Sequence, residues 1–429
     1  MGIQQLLFSA ILLLGIGFFA FNVKRLMRNI RQGKPVGAIE RKKERTLAMI
    51  RLALGQQKMQ RNVLVGVLHL VVYLGFLIIN IELIEIIIDG VFGTHRALSF
   101  LGAGYDLAIA LFELFALAVI VSVVVFWVRR NLMHIKRFMS AELKGWPKLD
   151  ANLILIIELV LMFLFLGMNA ADYALQLRGV AHYSSAGAFP ISGWVAPVFN
   201  NWPEAKVIAF ERGMWWAHII GILGFLNYLY YSKHLHILLA FPNTFYASLE
   251  PKGKFENNAI VTREVKAMLA MEAAESNQEI ERFGAKDVTD LTWVQLMNAY
   301  SCTECGRCAA ACPANQTGKL LSPRKIMMDT RDRATEISTS KGLKDLAENT
   351  LLDHYISREE LWACTSCNAC VEACPIGIDP LSIIMKMRQY IVMEESTGPG
   401  DLNAMMTNIE NNGAPWAFNA QDRLNWVSD

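Results

Sequence analysis

The eight cysteines of this 429-residue chain stand in two copies of one pattern, C-x2-C-x2-C-x3-C-P. The first copy consists of Cys302, Cys305, Cys308 and Cys312, and the second of Cys364, Cys367, Cys370 and Cys374. This spacing is typical of two [4Fe–4S] clusters, since three thiolates of one run wrap a cubane and the fourth reaches the other cluster. We therefore predict two interlocked ligand sets, which are Cys302, Cys305, Cys308 with Cys374, and Cys364, Cys367, Cys370 with Cys312.

Two other uses of such cysteines are a disulfide framework and a zinc site. The basic residues of the loops indicate a cytoplasmic location for this region, which disfavours disulfides. A zinc site needs four ligands rather than two proline-terminated runs. The 51 residues between the runs, 313–363, are too many for a short hairpin, and the stretches 322–333 and 341–355 have helical composition. We expect an α-helical ferredoxin-type domain that conducts single electrons.

Histidines within apolar stretches are the second set of residues with a chemical use. Two histidines on neighbouring helices are a standard way to hold a b-type haem. His69 and His236 lie at matching depths, roughly 12 Å and 9 Å from the cytoplasmic ends of their helices at about 1.5 Å per residue. We predict that they are the axial pair of one haem, with His234 as the substitute if its helix is rotated. The alternative is that these histidines are structural and form hydrogen bonds at the headgroup level.

His218 precedes His236 by eighteen residues, which is five turns of a continuous helix, so the two are expected to share a face. At the matching depth of the second helix stand Ile79 and Asn80, and neither is a haem ligand. Two histidines in loops would supply a partner only if those loops folded over the bundle: His95 and His182. His218 is therefore a candidate second-haem ligand, a candidate quinone-pocket residue, or a packed core histidine.

Acidic residues also fall within or near the apolar stretches. Glu82, Glu85 and Asp89 stand at i, i+3 and i+7, so they lie on one face of a helix. Quinone chemistry couples two electrons to two protons, and such carboxylates are suited to carry protons. The alternative is that they form interhelical hydrogen bonds.

Five apolar stretches are long enough, as helices, to cross the roughly 30 Å hydrocarbon core of a bilayer. They are 3–23, 63–89, 105–128, 152–177 and 207–232. Pro242 is expected to end the fifth helix, because its ring cannot continue the hydrogen-bond ladder. The first stretch lacks a basic segment before it, and we interpret it as a retained anchor rather than a signal peptide.

The lysines and arginines of the loops predict the orientation. Twelve lie between the first two stretches and six between the third and fourth, whereas the other two loops hold only Arg96, Arg178 and Lys206. This places the N-terminus outside and the cysteine domain in the cytoplasm, with the chain in a bacterial or archaeal cytoplasmic membrane. The formal net charge of +2, with 53% hydrophobic and 19% charged residues, excludes a generally basic nucleic-acid binder.

Residues 1–245 resemble the five-helix cytochrome b subunit of respiratory nitrate reductases. That family carries its haem histidines on helices two and five, and the segments His218-Ile-Ile-Gly and Ser232-Lys-His-Leu-His236-Ile fit the pattern. The second helix departs from it, with one histidine where the family has two. The resemblance thus implies one haem on His69 and His236 and leaves a second haem open.

Residues 285–429 resemble the small α-helical two-cluster subunit of heterodisulfide reductases. The tail at 408–416, Asn-Ile-Glu-Asn-Asn-Gly-Ala-Pro-Trp, is similar to the segment that precedes cysteine-rich catalytic domains in fused members of that group. No cysteine follows Cys374. The resemblance therefore implies a partner polypeptide with those domains, docked near the tail.

The sequence thus predicts an all-α protein with four parts: a membrane cytochrome b domain (1–245), a connector (246–284), a ferredoxin domain (285–400) and a partner-docking tail (401–429). The expected function is electron transfer between quinone, haem b and two [4Fe–4S] clusters, as one subunit of a quinone-linked oxidoreductase. One alternative is an anchor that tethers a two-cluster ferredoxin without haem. Another is a self-contained oxidoreductase acting on a disulfide or a small organic acid, which the commitment of all eight cysteines disfavours.

Overall fold

The computed structural model describes residues 2–255, 257–269, 282–339 and 349–427. Within these ranges the chain is built from helices and turns without a β-strand, so the predicted all-α class is confirmed. The chain divides into two compact units whose segments alternate along the sequence. The first unit comprises Met1–Arg28, Thr46–Phe245 and Ser301–Gly306, and the second comprises Asn29–Arg45, Tyr246–Tyr300 and Arg307–Asp429.

Among the described residues up to Tyr246 there are eight α-helices, five of them with 25 residues or more. In chain order they are α1 (Ile3–Ile30), α2 (Lys42–Met49), α3 (Val63–Phe92), α4 (Ala103–Asn131), α5 (Trp146–Leu177), α6 (Ser192–Val195), α7 (Glu204–Tyr228) and α8 (His236–Tyr246). In the first unit, α5 packs along α4 and α7, and α3 packs along α4. Ile109, Phe165 and Ile219 are almost fully buried where these helices meet.

Four of the described helices are long and apolar enough to cross a membrane, with mean hydropathies of 2.3 to 2.8. They are α1, α3, α4 and α5. The fifth predicted span corresponds to α7, which is not among them and carries four charged residues toward its N-terminal end: Glu204, Lys206, Glu211 and Arg212. The count of five spans therefore stays a prediction.

The fifth apolar stretch does not form one continuous helix. Helix α7 ends at Tyr228, Ser232 is extended (φ −114°, ψ 148°), and α8 begins at His236. The buried carboxylate of Asp150 accepts the backbone N–H of Lys233 at 3.0 Å, and the Ser232 hydroxyl accepts that of His234 at 3.0 Å. These bonds give the backbone an alternative to the helix ladder, as serine and aspartate side chains often do.

Two expectations about this stretch are therefore wrong. Pro242 does not end the helix but lies within α8. His218 and His236 belong to two different helices, so their eighteen-residue spacing does not place them on one face.

The second unit contains the cysteine-rich part of the chain from Arg307 onward. Its α-helices are α9 (Ala259–Met268), α10 (Trp293–Ser301), α11 (Arg307–Ala311), α12 (Pro313–Gln316), α13 (Pro323–Thr339), α14 (Arg358–Trp362), α15 (Ala369–Ala373), α16 (Pro380–Met393) and α17 (Gly400–Asn412). Helix α13 confirms the predicted helix at 322–333. Of the predicted helix at 341–355, residues 341–348 lie outside the described ranges, and Leu351–Tyr355 is a short kinked turn with Asp353 at φ +71°.

A buried ion pair fixes the interior of the second unit. Arg333 on α13, 1% exposed, donates from Nε and Nη2 to the Asp287 carboxylate, with the shortest distance 2.7 Å. Asp287 also accepts the backbone N–H groups of Val288 and Leu351. One carboxylate thus holds together three segments that are distant in sequence.

Candidate functional site

The two cysteine runs adopt the same backbone conformation. In each run the residues two and four positions after the first cysteine have positive φ: Glu304 (55°) and Gly306 (72°), then Ser366 (58°) and Asn368 (61°). The backbone N–H of Glu304 donates to Cys302 Sγ at 3.4 Å, and that of Ser366 donates to Cys364 Sγ at 3.4 Å. Such N–H donors stabilise thiolates that bind a metal cluster. The repeated sequence is therefore also a repeated structure.

The fourth cysteine of the first run lies among cysteines of the second run. Burial, the charge of Asp379 and the nearby thiols of Cys364 and Cys312 together raise the pKa of Cys370 to about 12. Burial also raises the pKa of Cys364, with Cys312 and Cys367 adding to the effect. This is the neighbourhood that the crossed assignment requires for its second cluster. Thiols held protonated in this way lose their protons when they bind iron.

The other four cysteines are divided between the two units. Cys302 and Cys305 belong to the loop Ser301–Gly306 of the first unit, whereas Cys308 and Cys374 belong to the second. Cys374 Sγ accepts the backbone N–H of Ile378 at 3.3 Å. The assignment of these four to one cluster stays a prediction. In the described ranges, no group of three or more histidine, cysteine or acidic side chains is spaced to hold a single metal ion.

Three histidines come together in the first unit. The rings of His234 and His236 lie 5.4 Å apart, and His69 is close enough to act electrostatically on His234. His234 also packs on Phe225 and points its Nε2 toward Glu158 Oε1 at 3.6 Å. The predicted axial pair and its substitute are therefore neighbours.

Hydrogen bonds distinguish the roles of these histidines. His69 Nδ1 contacts Gln56 Oε1 at 2.9 Å, and His236 Nδ1 contacts the carbonyl oxygen of Lys233 at 3.2 Å. Because both partners are oxygen acceptors, these contacts favour the tautomer with the proton on Nδ1 and none on Nε2. That is the tautomer which binds iron, with the outer hydrogen bond that usually orients a ligating histidine. His234 instead directs Nε2 to a carboxylate, so the geometry favours His69 and His236 as ligands.

A buried ion pair joins the histidine segment to the first cysteine loop. Lys233 Nζ contacts the Glu304 carboxylate, and their side chains are 8% and 3% exposed. Lys233 Nζ also donates to the carbonyl oxygen of Pro147 at 2.7 Å. Because Glu304 stands between Cys302 and Cys305, the ion pair fixes this loop against the turn that precedes His236.

His218 lies apart from the other haem candidates. It is 3% exposed, it hydrogen-bonds the backbone of Leu161, and its Nδ1 has no hydrogen-bond partner. His95 does not complete a pair with it, because His95 Nε2 contacts Asp172 at 3.2 Å and its ring lies tilted against that of His182, with the ring centres 5.4 Å apart. Neither loop histidine lines the cavity that contains His218.

The acidic residues of α3 behave differently from one another. Glu85 accepts hydrogen bonds from Leu98 N and the Tyr105 hydroxyl, and Asp89 accepts three from residues 94–97. These two fit the structural alternative. Glu82 is the exception, since its Oε2 is buried and has no hydrogen-bond partner.

Sequence reasoning missed three residues that orient the site. Gln56 lies in a loop whose basic residues indicate only membrane topology, and Lys233 and Glu304 are spacers between predicted ligands. Two of the three carry a signal: Glu304 is an acidic residue inside a cysteine loop, and Lys233 is a charge within an apolar stretch. Gln56 has no such signal.

Comparison with known proteins identifies the cysteine region first. The family model of the 4Fe-4S dicluster domain matches residues 301–378. No solved structure matches the chain. The chain therefore carries a domain for two iron–sulfur clusters.

Three relatives cover different parts of the chain. The "Probable iron-sulfur-binding oxidoreductase FadF" of Bacillus subtilis is 30% identical over 99% of this chain and 60% of its own length. The "EtfAB:quinone oxidoreductase" of Syntrophomonas wolfei is 27% identical over 65% of this chain and 40% of its own. One of the subunits of the dihydromethanophenazine:CoB–CoM heterodisulfide reductase of Methanosarcina mazei is 30% identical over 33% of this chain and 36% of its own.

The chain spans only part of each relative, at most 60% of its length among these three. The nitrate-reductase resemblance of residues 1–245 stays a prediction. The shared region and the dicluster domain lead to a coarser statement: the chain is related to iron–sulfur oxidoreductases that transfer electrons, and it carries helices able to span a membrane.

Proposed function

We propose that the protein is a membrane-bound electron-transfer subunit that passes electrons between the quinone pool, a b-type haem and two [4Fe–4S] clusters. The observation that carries the proposal is the ion pair between Lys233 and Glu304, which joins the turn before His236 to the loop of Cys302 and Cys305. Ligands for a membrane haem and for a cluster thus lie on one packed set of residues. Electron transfer between two carriers needs them to be close together, and this ion pair holds the segments that carry their proposed ligands against each other.

The residues present fit a bis-histidine haem. His69 and His236 would supply the two Nε2 ligands, oriented by Gln56 and by the Lys233 carbonyl. A b-type haem, when bound, supplies a one-electron carrier within the bundle. The near neighbour His234 keeps its contact with Glu158 and remains outside the ligand set.

The eight cysteines would supply the ligands of the two clusters. Cys364, Cys367, Cys370 and Cys312 would hold one cluster, and Cys302, Cys305, Cys308 and Cys374 the other. Cys367 is exposed, whereas Cys302 and Cys370 are buried. The set that contains Cys367 therefore has the ligand nearest to solvent, where an electron-transfer partner can approach.

Quinone and a cytoplasmic partner complete the proposed reaction path. The printed name of the Syntrophomonas relative includes quinone, and that of the Methanosarcina relative includes heterodisulfide reductase. The partner would carry cysteine-rich domains and dock near the exposed Trp416, Phe418 and Trp426 of the tail. The basic loops favour an outside N-terminus and a cytoplasmic cysteine domain.

Reduced-minus-oxidised absorption spectra of the purified full-length protein test the proposal. A b-type α-band is expected in the unaltered protein and absent from the His69→Ala/His236→Ala variant, with the acid-labile sulfide of the clusters unchanged. His134→Asn is the matched control, because His134 is exposed and lies in a loop. A haem-free preparation with intact clusters would support the alternative of an anchored ferredoxin, and an α-band that persists in the double variant would contradict the ligand assignment.

A further inference from the structure

An apolar cavity of about 110 Å³ lies inside the first unit, between α3, α4, α5 and α7. Most of its wall is aliphatic or aromatic, including Phe76, Leu83 and Phe165. Its polar residues are few and all lie in long helices: Asn80, Glu82, Glu158 and His218. A mostly apolar wall with a few polar groups is the usual character of a small-molecule site.

His218 presents an unused acceptor to this cavity. One ring nitrogen is engaged with the backbone of Leu161, which is a carbonyl acceptor in a helix, so that nitrogen carries the proton. Nδ1 then has the lone pair, and it has no hydrogen-bond partner although the residue is only 3% exposed. A buried acceptor without a partner is unfavourable, and a hydroxyl group in the cavity would satisfy it.

Glu82 connects this cavity to a second one. It lines both the apolar cavity and a polar cavity of about 200 Å³ toward the connection between α3 and α4. The polar cavity also contains Glu85, Asp89 and His95. Glu82 is 4% exposed and its Oε2 has no hydrogen-bond partner, so the carboxyl group is available to accept or release a proton between the two spaces.

We propose that the apolar cavity binds the ring of a quinone or quinol, and that Glu82 passes its protons to and from the polar cavity. This inference rests on the proposed function, which supplies the electron carriers. In quinol oxidation one hydroxyl group donates its hydrogen bond to His218 Nδ1. The quinol loses two electrons, which pass one at a time to those one-electron carriers, and two protons, which leave through His218 and Glu82. Quinone reduction is the reverse reaction, in which the quinone takes up two electrons and two protons.

The cavity is better suited to a quinone ring than to a second haem. His218 is the only histidine that lines it in the described part of the chain, and the opposite wall on α3 offers Ile79 and Asn80. A bis-histidine haem would need a second ligand there. We therefore assign His218, which the sequence left as a candidate ligand of a second haem, to the quinone site.

Calorimetric titration of the full-length protein with decylubiquinone tests the binding site. His218→Phe removes the acceptor and leaves an apolar ring of similar size in its place, and it is expected to weaken binding by about tenfold or more. Leu83→Trp fills the cavity from α3 without touching His218, and the same loss is expected. Asp106→Asn, an exposed carboxylate at the start of α4, is the control and keeps normal affinity. Unchanged affinity in folded His218→Phe or Leu83→Trp protein would overturn the site.

Glu82→Gln tests the proton route separately. Decylubiquinone affinity is expected to stay within about threefold, while reoxidation of dithionite-reduced protein by the quinone slows by about 100-fold. Reoxidation at the normal rate would overturn the route. These tests can fail without affecting the proposed function, because the haem α-band is expected to remain in all of these variants. Its loss in His218→Phe would make His218 a haem ligand and overturn the quinone site while leaving electron transfer through haem in place.

Discussion

Lys233 and Glu304 form a buried ion pair between the turn that precedes His236 and the loop that separates Cys302 from Cys305. The two residues are 71 positions apart in sequence, and each is close in sequence to a proposed redox ligand. Lys233 also uses its backbone, since its N–H donates to Asp150 and its carbonyl accepts from His236. One residue therefore positions both a histidine and a cysteine loop.

Lys233→Met is expected to destabilise the first cysteine loop, because Glu304 is then left buried without its cation. Loss of one partner of a buried pair costs about 3–5 kcal/mol. We expect a lower thermal unfolding midpoint and fewer than the full complement of iron atoms per chain. Lys254→Met is the control, since the Lys254 ammonium is 64% exposed and its pair with Glu250 contributes little. The double change Lys233→Met/Glu304→Met should recover part of the loss, and a double variant no better than Lys233→Met would argue against the pairing.

Gln56→Leu removes the acceptor of His69 Nδ1 without changing the proposed ligand. An imidazole that donates a hydrogen bond is a stronger electron donor and favours ferric iron. The haem midpoint potential is therefore expected to rise. The affinity for haem is expected to fall by about 10–100-fold. Potentiometric titration of the α-band measures the first effect. The adjacent Gln57→Leu is the control because Gln57 is exposed, and equal potentials in the two variants would contradict the role of Gln56.

Arg388→Leu tests the second cluster. Arg388 Nη2 donates to the carbonyl oxygens of Leu361 at 2.6 Å and Cys364 at 2.5 Å, so its positive charge lies beside the ligand loop. Removing a nearby positive charge disfavours the reduced cluster. We expect its midpoint potential to fall by on the order of 40 mV, equivalent to about 1 kcal/mol. EPR-monitored titration measures the shift, with Lys386→Leu on the same helix as the charge-matched control. A shift confined to the other cluster would contradict the crossed ligand assignment.

Arg333→Met tests the interior of the second unit. Asp287 loses its bidentate partner, and a cost of about 3–5 kcal/mol is expected in the free energy of unfolding. Arg331→Met removes a neighbouring guanidinium whose partner Asp332 is largely exposed, and a change below about 1 kcal/mol is expected. Denaturant unfolding followed by loss of the cluster absorption compares the two. Equal denaturant midpoints for the two variants would show that Arg333 does not stabilise the second unit through Asp287.

Local patterns carried most of the fold and ligand predictions. The cysteine runs predict their own loops because each needs only a few adjacent residues, and the two copies have the same positive-φ positions at Glu304 and Ser366. The helix at 322–333 is likewise evident from composition. Apolar stretches of sufficient length identify four of the helices that can span a membrane.

Tertiary contacts decided what the sequence did not reveal. The break between α7 and α8 depends on Asp150, a buried carboxylate about eighty residues earlier, which accepts the N–H of Lys233. The apolar pattern of the stretch itself does not reveal the contact with Asp150, so the pattern predicts a continuous helix. Gln56 escaped notice for the same reason, since its role exists only once His69 folds against it.

The most direct test of electron transfer through the haem follows quinol oxidation by the full-length protein in a stopped-flow spectrometer. With decylubiquinol as donor, the haem α-band is expected to appear and both clusters to become reduced in the unaltered protein. In the His69→Ala/His236→Ala variant the clusters should remain oxidised with quinol but still be reduced by dithionite. Clusters that quinol reduces at the normal rate in this variant would contradict electron transfer through a haem on His69 and His236.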